Sequence, residues 1–151
     1  MEPIKSQSII PRIDGIQRDI GKLKDLASLP FPQFQKEDNY IKAQFYLRQA
    51  LEGVFHIGTH ILSRIPGGRA TEYKEVALKL GEMKIVDLQF AQNQLKQMAG
   101  YRNRLTHFYS QITPEELYKI LSSHLKDFDI FLHSIQDLMN NPQKHDLTVE
   151  K

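Results

Sequence analysis

Apolar residues recur at helical spacing along most of the chain, and this periodicity limits the possible folds more than any other feature of the sequence. In the first such stretch they lie three or four positions apart, which places them on one face of an α-helix. Its members are Ile9, Ile13, Ile16, Ile20, Leu23 and Leu26. No segment alternates apolar and polar residues over the length of a typical strand. The sequence therefore predicts an all-α fold.

The predicted helices follow one another with short breaks that are rich in proline and glycine. They cover approximately 9–26, 37–64, 71–80, 86–108 and 113–139. The last has the clearest start, because Thr113 can cap the helix, Pro114 takes the first helical position and Glu116 stands three residues after the cap. Short connections favour antiparallel neighbours, so we expect an antiparallel bundle of about five helices. We expect residues 1–140 to form a single domain and residues 141–151 to be a flexible C-terminal tail.

Composition excludes several classes of function. A chain of 151 residues is long enough for one domain. It has no cysteine, which excludes disulfides, thiolate metal sites and a cysteine nucleophile. No apolar run approaches the ~20 residues of a membrane-spanning helix, and no N-terminal targeting segment is visible. We therefore expect a cytoplasmic protein without a membrane partner, and its net charge of +2 points to no particular ligand.

Positive charge is nevertheless concentrated in one place. The stretch from Leu88 to Pro114 contains no Asp or Glu, but it contains Lys96, Arg102, Arg104 and His107. Such a patch favours phosphate ligands and can attract a polyanion. The alternative is that these are ordinary solvated cations, which the helix dipole favours near a C-terminus.

The side chains in this stretch suit the cleavage of a phosphodiester without a metal ion. His107 can move a proton at neutral pH, and Arg102 can stabilise charge on phosphoryl oxygens while a ribose 2′-OH attacks the phosphorus. On a regular helix, however, residues five positions apart point about 140° away from each other. Either the helix loosens after Gly100, or the long arginine side chain wraps around it, or two chains contribute to one site. Asn103 shares a helix face with His107 and could orient the imidazole.

The run from Met98 to Tyr109 closely resembles the R-x4-H-x-Y signature of HepT-like HEPN proteins, in which an Arg-Asn pair precedes a His and a Tyr. The capped helix after the motif is similar to the final helix of that family. The upstream order, a long second helix followed by a Pro-Gly turn and a short helix, is similar as well. The resemblance covers approximately residues 9–139 and is specific in its motifs over 98–121.

The resemblance implies the toxin of a type VII-like toxin–antitoxin pair. Such a protein is a metal-independent endoribonuclease without a cofactor, and its R-x4-H motifs meet in a homodimer cleft. By position, Arg102 and His107 would be the catalytic pair, while Asn103 and Arg104 would bind the RNA substrate. Tyr109 matches the tyrosine that a minimal nucleotidyltransferase (MNT) antitoxin modifies with AMP. Each added nucleotide would bring negative charge and bulk into a cationic cleft and so silence the toxin.

Two other interpretations compete with this one. HEPN-like bundles also serve as non-catalytic nucleotide- or partner-binding modules, in which the same Arg and His would hold a phosphate without cleaving it. A zinc site at His56 and His60, one helical turn apart, lacks both an intervening carboxylate and an evident third ligand. We therefore predict no metal site.

Overall fold

The computed structural model describes residues 2–107 and 112–151, and nearly all regular structure in them is helical. The helices are α1 (Ser6–Ala27), α2 (Phe31–Phe34), α3 (Glu37–Leu62), α4 (Tyr73–Glu82), α5 (Leu88–Phe90), α6 (Lys96–Thr106), α7 (Pro114–Ser123) and α8 (Lys126–Asn140). A π-helical turn, Ala91–Leu95, joins α5 directly to α6. The all-α prediction is confirmed. None of the helices in these two ranges is long and apolar enough to cross a bilayer.

Helix α3 organises the core. It packs most extensively against α1 and also contacts α4, α6 and α7. The apolar face predicted for α1 is buried along its whole length, from Ile9 to Leu26. Helical spacing alone does not place a residue in the core, however, because Ile41 and Phe45 on α3 are exposed.

Helices α3 and α4 approach each other closely at Gly58. A Cβ atom there would lie 2.9 Å from Leu80 Cδ1 and 3.1 Å from Val76 Cγ1. Both carbons belong to buried side chains of α4, which have little room to move. The absence of a side chain at Gly58 therefore sets how near α4 lies to the centre of the bundle.

The last predicted helix is divided in two. It begins as expected, because the Thr113 Oγ1 atom accepts a hydrogen bond from the Glu116 backbone N–H at 3.2 Å. However, α7 ends at Ser123, and His124 takes φ −119° and ψ 2°, outside the α-helical region. Helix α8 starts two residues later and extends the core with Phe128, Phe131 and Ile135.

The two ends of the chain meet in the structure. Residues Ile4–Lys5 (β1) pair in parallel with Val149–Glu150 (β2), and a 3-10 turn, Pro142–His145, precedes β2. Leu147 is only 4% exposed. Where the sequence predicted a flexible tail, the structure therefore places packed residues, because Leu147 supplies an apolar anchor that the helical periodicity does not include.

Candidate functional site

The basic stretch identified in the sequence lies mostly on α6. Met98 and Ala99 are buried and fix one face of this helix against the core. The next side chains along the helix, from Tyr101 to Leu105, are half-buried. In the π turn before α6 the backbone hydrogen bonds span five residues, so the turn is wider than that of an α-helix. Such turns occur frequently at functional sites.

Arg102 is held by an aromatic ring. Its Cζ atom lies 4.1 Å from the centroid of the Tyr73 ring at the start of α4. The Tyr73 ring in turn meets Phe55 of α3 edge-on, with centroids 5.3 Å apart. Within residues 2–107 and 112–151 the Arg102 side chain has no carboxylate partner, and its buried Nε atom has no hydrogen-bond partner. A cation stacked on a ring keeps its N–H donors available for a ligand.

Helix α6 ends immediately before His107. The Thr106 hydroxyl donates to the Arg102 and Asn103 carbonyl oxygens, at 3.1 and 3.0 Å, and closes the last turn. His107 then takes an extended conformation, with φ −107° and ψ 106°, and its side chain is exposed. The predicted helix was longer, reaching residue 108. Because His107 leaves the helix, the angular separation expected on a regular helix does not govern its position relative to Arg102.

Arg104 is engaged in a two-pronged ion pair. Its Nη1 and Nη2 atoms donate to the Glu116 carboxylate of α7, both at 2.6 Å. These hydrogen bonds hold the pKa of the Glu116 carboxyl below its usual range. The charge of Arg104 is therefore compensated by an acid just outside the acid-free stretch, and its role in binding substrate stays a prediction.

The remaining predicted residues differ in how much the structure says about them. Asn103 is half-buried on α6, next to Arg102. Tyr109 lies outside the described residues. Sequence reasoning missed Tyr73 and Glu116, which hold Arg102 and Arg104 in place. Tyr73 belongs to no recognisable motif, and Glu116 was noted only as part of the cap of the last helix, so only the packing of α4 and α7 against α6 reveals these contacts.

His60, one of the two histidines considered as zinc ligands, forms a hydrogen bond with the backbone. The His60 Nε2 atom accepts a hydrogen bond from the Lys5 backbone N–H at 3.1 Å. Burial, together with the nearby cation of Arg64, lowers the pKa of His60. A neutral His60 thus attaches the N-terminal strand to α3. In the described part of the chain, no three His, Asp or Glu side chains are grouped so that they could hold a metal ion.

Comparison with known proteins identifies the family. Residues 16–135 match the family described as ribonuclease HepT-like. The chain belongs to this family. The family resemblance that the R-x4-H-x-Y motif indicated is therefore confirmed. The chain is also similar to the tRNA nuclease HepT of Aphanizomenon flos-aquae, with 24% identity over 140 residues that cover 92% of this chain and 95% of that protein.

Solved structures share the fold of this HepT-like chain. A tri-AMPylated HEPN toxin of Shewanella oneidensis in complex with an MNT antitoxin superposes with a TM-score of 0.78 at 23% identity, covering 91% of this chain and 99% of that one. A toxin–antitoxin crystallised with AMP-PNP gives a TM-score of 0.79 at 20% identity, over 87% of this chain and 99% of its counterpart. At these identities the likeness establishes the HEPN fold.

Proposed function

We propose that this HepT-like chain is the toxin of a toxin–antitoxin pair and that it cleaves RNA in the cytoplasm without a metal ion. The observation that carries the proposal is the arrangement of Arg102, which is stacked on Tyr73 without a carboxylate partner among the described residues, five residues before an exposed His107. The similarity to a tRNA nuclease supports RNA as the substrate and makes transfer RNA the first to test.

The proposed chemistry requires only side chains of this protein. The ribose 2′-OH attacks the adjacent phosphorus, and the bond from phosphorus to the 5′-oxygen of the next nucleotide breaks. The products are a 2′,3′-cyclic phosphate and a free 5′-OH. His107 transfers a proton in this step, and Arg102 stabilises the negative charge that builds up on the phosphoryl oxygens. We assign to Asn103, the next residue on α6, a contact with the same phosphate or its ribose.

Cleavage in excess EDTA tests this mechanism. We expect the wild type to cut RNA under these conditions. His107→Ala and Arg102→Ala should each lower kcat/KM by about 10²–10⁴-fold, the usual contribution of a general acid–base group or a charge-stabilising donor. Matched controls are His133→Ala on α8 and Arg48→Ala on α3, since both side chains are exposed outside the site. Full activity in His107→Ala, or loss of activity in EDTA, would contradict the mechanism.

We further propose that two copies of the chain form a shared cleft. Mixing the Arg102→Ala and His107→Ala proteins then produces heterodimers with one intact site, formed by Arg102 of one protomer and His107 of its partner. Statistical mixing predicts a return of up to about a quarter of wild-type activity. Sedimentation should show a dimer. A monomeric active enzyme would exclude the shared cleft, and a dimer whose mixtures stay inactive would assign both residues to one chain.

Regulation is proposed to act through Tyr109, two residues beyond His107. The similar Shewanella oneidensis toxin is tri-AMPylated and bound to an MNT antitoxin. AMP groups on Tyr109 would add negative charge two residues along the chain from His107 and so repel RNA. Co-expression with a cognate MNT antitoxin should raise the intact mass by whole AMP units. Tyr109→Phe should prevent the increase, and an unchanged increase in that variant would assign the modification to another residue.

A further inference from the structure

A cleft lined mostly by polar residues lies along the π turn and α6, the helix that carries Arg102. Its volume is about 510 Å³, within the usual range for ligand-binding pockets. The start of α4 provides one wall with Lys74, and α6 provides the other with Lys96, Gly100 and Tyr101. The cleft is therefore built from the same two helices that hold Arg102.

The lining of the cleft has the chemistry of a polynucleotide site. Lys74 and Lys96 bring two ammonium groups, and neither forms an ion pair with a carboxylate among the described residues. Arg104 also lines the cleft, and its charge is paired with Glu116, whereas the lining itself includes no acidic side chain. Four amide side chains can donate to and accept from base edges: Gln92, Asn93, Gln94 and Gln97. In nucleic-acid sites, cations contact the phosphates and amides contact the base edges, and this cleft offers both.

Tyr101 adds a surface for stacking. Its ring is half-buried and lines the cleft, and on another side it meets the His124 ring with centroids 6.4 Å apart. A ring held in this way has few conformations to lose when a base stacks on it. Stacking accepts any base, since every base has a π face.

The cleft is physically coupled to Arg102 through two consecutive residues of α4. Tyr73 lies under the Arg102 guanidinium, while the aliphatic part of Lys74 passes Gly100, where a Cβ atom would lie 4.0 Å from Lys74 Cε. Residues two positions apart on a helix point about 160° away from each other, so Arg102 and the cleft at Gly100 lie on different faces of α6. A strand that contacts both would have to bend around α6 beside Tyr73 and Lys74.

We propose that this cleft binds the single-stranded RNA that flanks the cleaved phosphate. Lys74 and Lys96 contact phosphates, Tyr101 stacks on a base, and the amides contact base edges. The inference rests on the proposed function, because it assigns the RNA-binding track of the same site. The charge and the stacking surface favour RNA over an acidic protein segment, which would use the lysines but not the ring and the amides.

Binding is tested with a fluorescent, single-stranded 2′-O-methyl oligonucleotide, which has no free 2′-OH and so stays intact whether or not the protein is a nuclease. We expect Lys74→Gln/Lys96→Gln to weaken binding by on the order of tenfold at 0.1 M salt and to lower the slope of log K against log salt by about 1.4, the value for two phosphate contacts on a single strand. The control, Lys22→Gln/Lys144→Gln, removes the same charge from exposed positions on α1 and on the 3-10 turn, which do not line the cleft.

A second pair of variants tests the stacking. Tyr101→Phe keeps the ring and should bind like the wild type, whereas Tyr101→Leu should bind about tenfold more weakly, in the range for losing one stacked base. Circular dichroism checks that Tyr101→Leu is folded. If Tyr101→Leu binds as tightly as Tyr101→Phe, the ring does not act as a stacking surface.

The outcomes separate the two proposals. If the lysine variant and its control bind the oligonucleotide equally, the cleft inference is wrong even when the protein cleaves RNA. If no RNA is cleaved but the cleft variants still lose binding, the proposed nuclease activity fails and the cleft stands. If the lysine variant loses only its affinity for the antitoxin, the cleft is a protein-binding surface and the inference is overturned.

Discussion

The ion pair between Arg104 and Glu116 permits a quantitative prediction. It joins the end of α6 to the start of α7, and each guanidinium nitrogen lies 2.6 Å from its carboxylate oxygen. The side chains are 38% and 37% exposed, so water and salt screen part of the attraction. Exposed pairs usually contribute 0.2–1 kcal/mol, and the two-pronged geometry places this one near the upper end, at about 1 kcal/mol. For a domain of this size that corresponds to a change in Tm of roughly 2–4 °C.

A double-mutant cycle measures this contribution. Arg104→Met keeps the aliphatic packing of the side chain, and Glu116→Gln keeps the size of the side chain while removing its charge. We expect each single variant and the double variant to lose stability, with a coupling free energy of about 1 kcal/mol at pH 7 and low salt. Urea unfolding followed by circular dichroism gives the four free energies of unfolding.

The pH dependence has a definite sign. Hydrogen bonding to Arg104 lowers the pKa of Glu116 in the folded protein. The stabilisation is therefore fully present above the carboxyl's unfolded pKa of about 4.3 and is lost as the pH falls through the lower, folded pKa. A coupling energy below about 0.3 kcal/mol at pH 7, or one that persists when the carboxyl is protonated, would refute the assignment of Arg104 to a structural ion pair.

Three further predictions follow from packing and burial. Gly58→Ala places a Cβ atom 2.9 Å from Leu80 Cδ1 and should cost about 1–3 kcal/mol, measured by thermal unfolding; an unchanged Tm would mean that α4 can shift freely. Tyr73→Leu removes the ring under Arg102 and should lower kcat/KM for RNA by about 3–30-fold with little change in fold, whereas Tyr73→Phe should retain activity, and equal losses in both would exclude the ring as the cause. Burial raises the pKa of Asp127, so Asp127→Asn should gain stability relative to the wild type as the pH rises from about 4 to 7, and a constant difference in urea unfolding would contradict this.

The helices were predictable because their periodicity is local. The face of α1 and the cap of α7 follow directly from residue spacing and type. The break between α7 and α8 does not, since Leu121 and Phe128 continue a helical spacing across His124. Spacing reports which residues can share a face, and it does not report where the backbone turns.

The candidate site was predictable only as a motif. Arg102 and His107 stand out in the sequence, but their surroundings depend on contacts between distant parts of the chain. Tyr73 lies 29 positions before Arg102, and Glu116 lies 12 positions after Arg104. A charge count along the sequence therefore treated Arg104 as uncompensated, whereas the structure pairs it across two helices.

The π turn at Ala91–Leu95 sets the phase of everything that follows it on the same helix. A π turn holds one residue more than an α-helical turn, so losing one residue here would leave a regular helix in nearly the same phase. An α-helix advances about 100° per residue, so inserting a further residue here would rotate α6 by about that angle relative to α5. Met98 and Ala99 would leave the core, and Arg102 would turn away from Tyr73. Insertions in this segment should therefore be tolerated far less than in the Pro66-Gly67-Gly68 connection, although both look like unremarkable stretches of sequence.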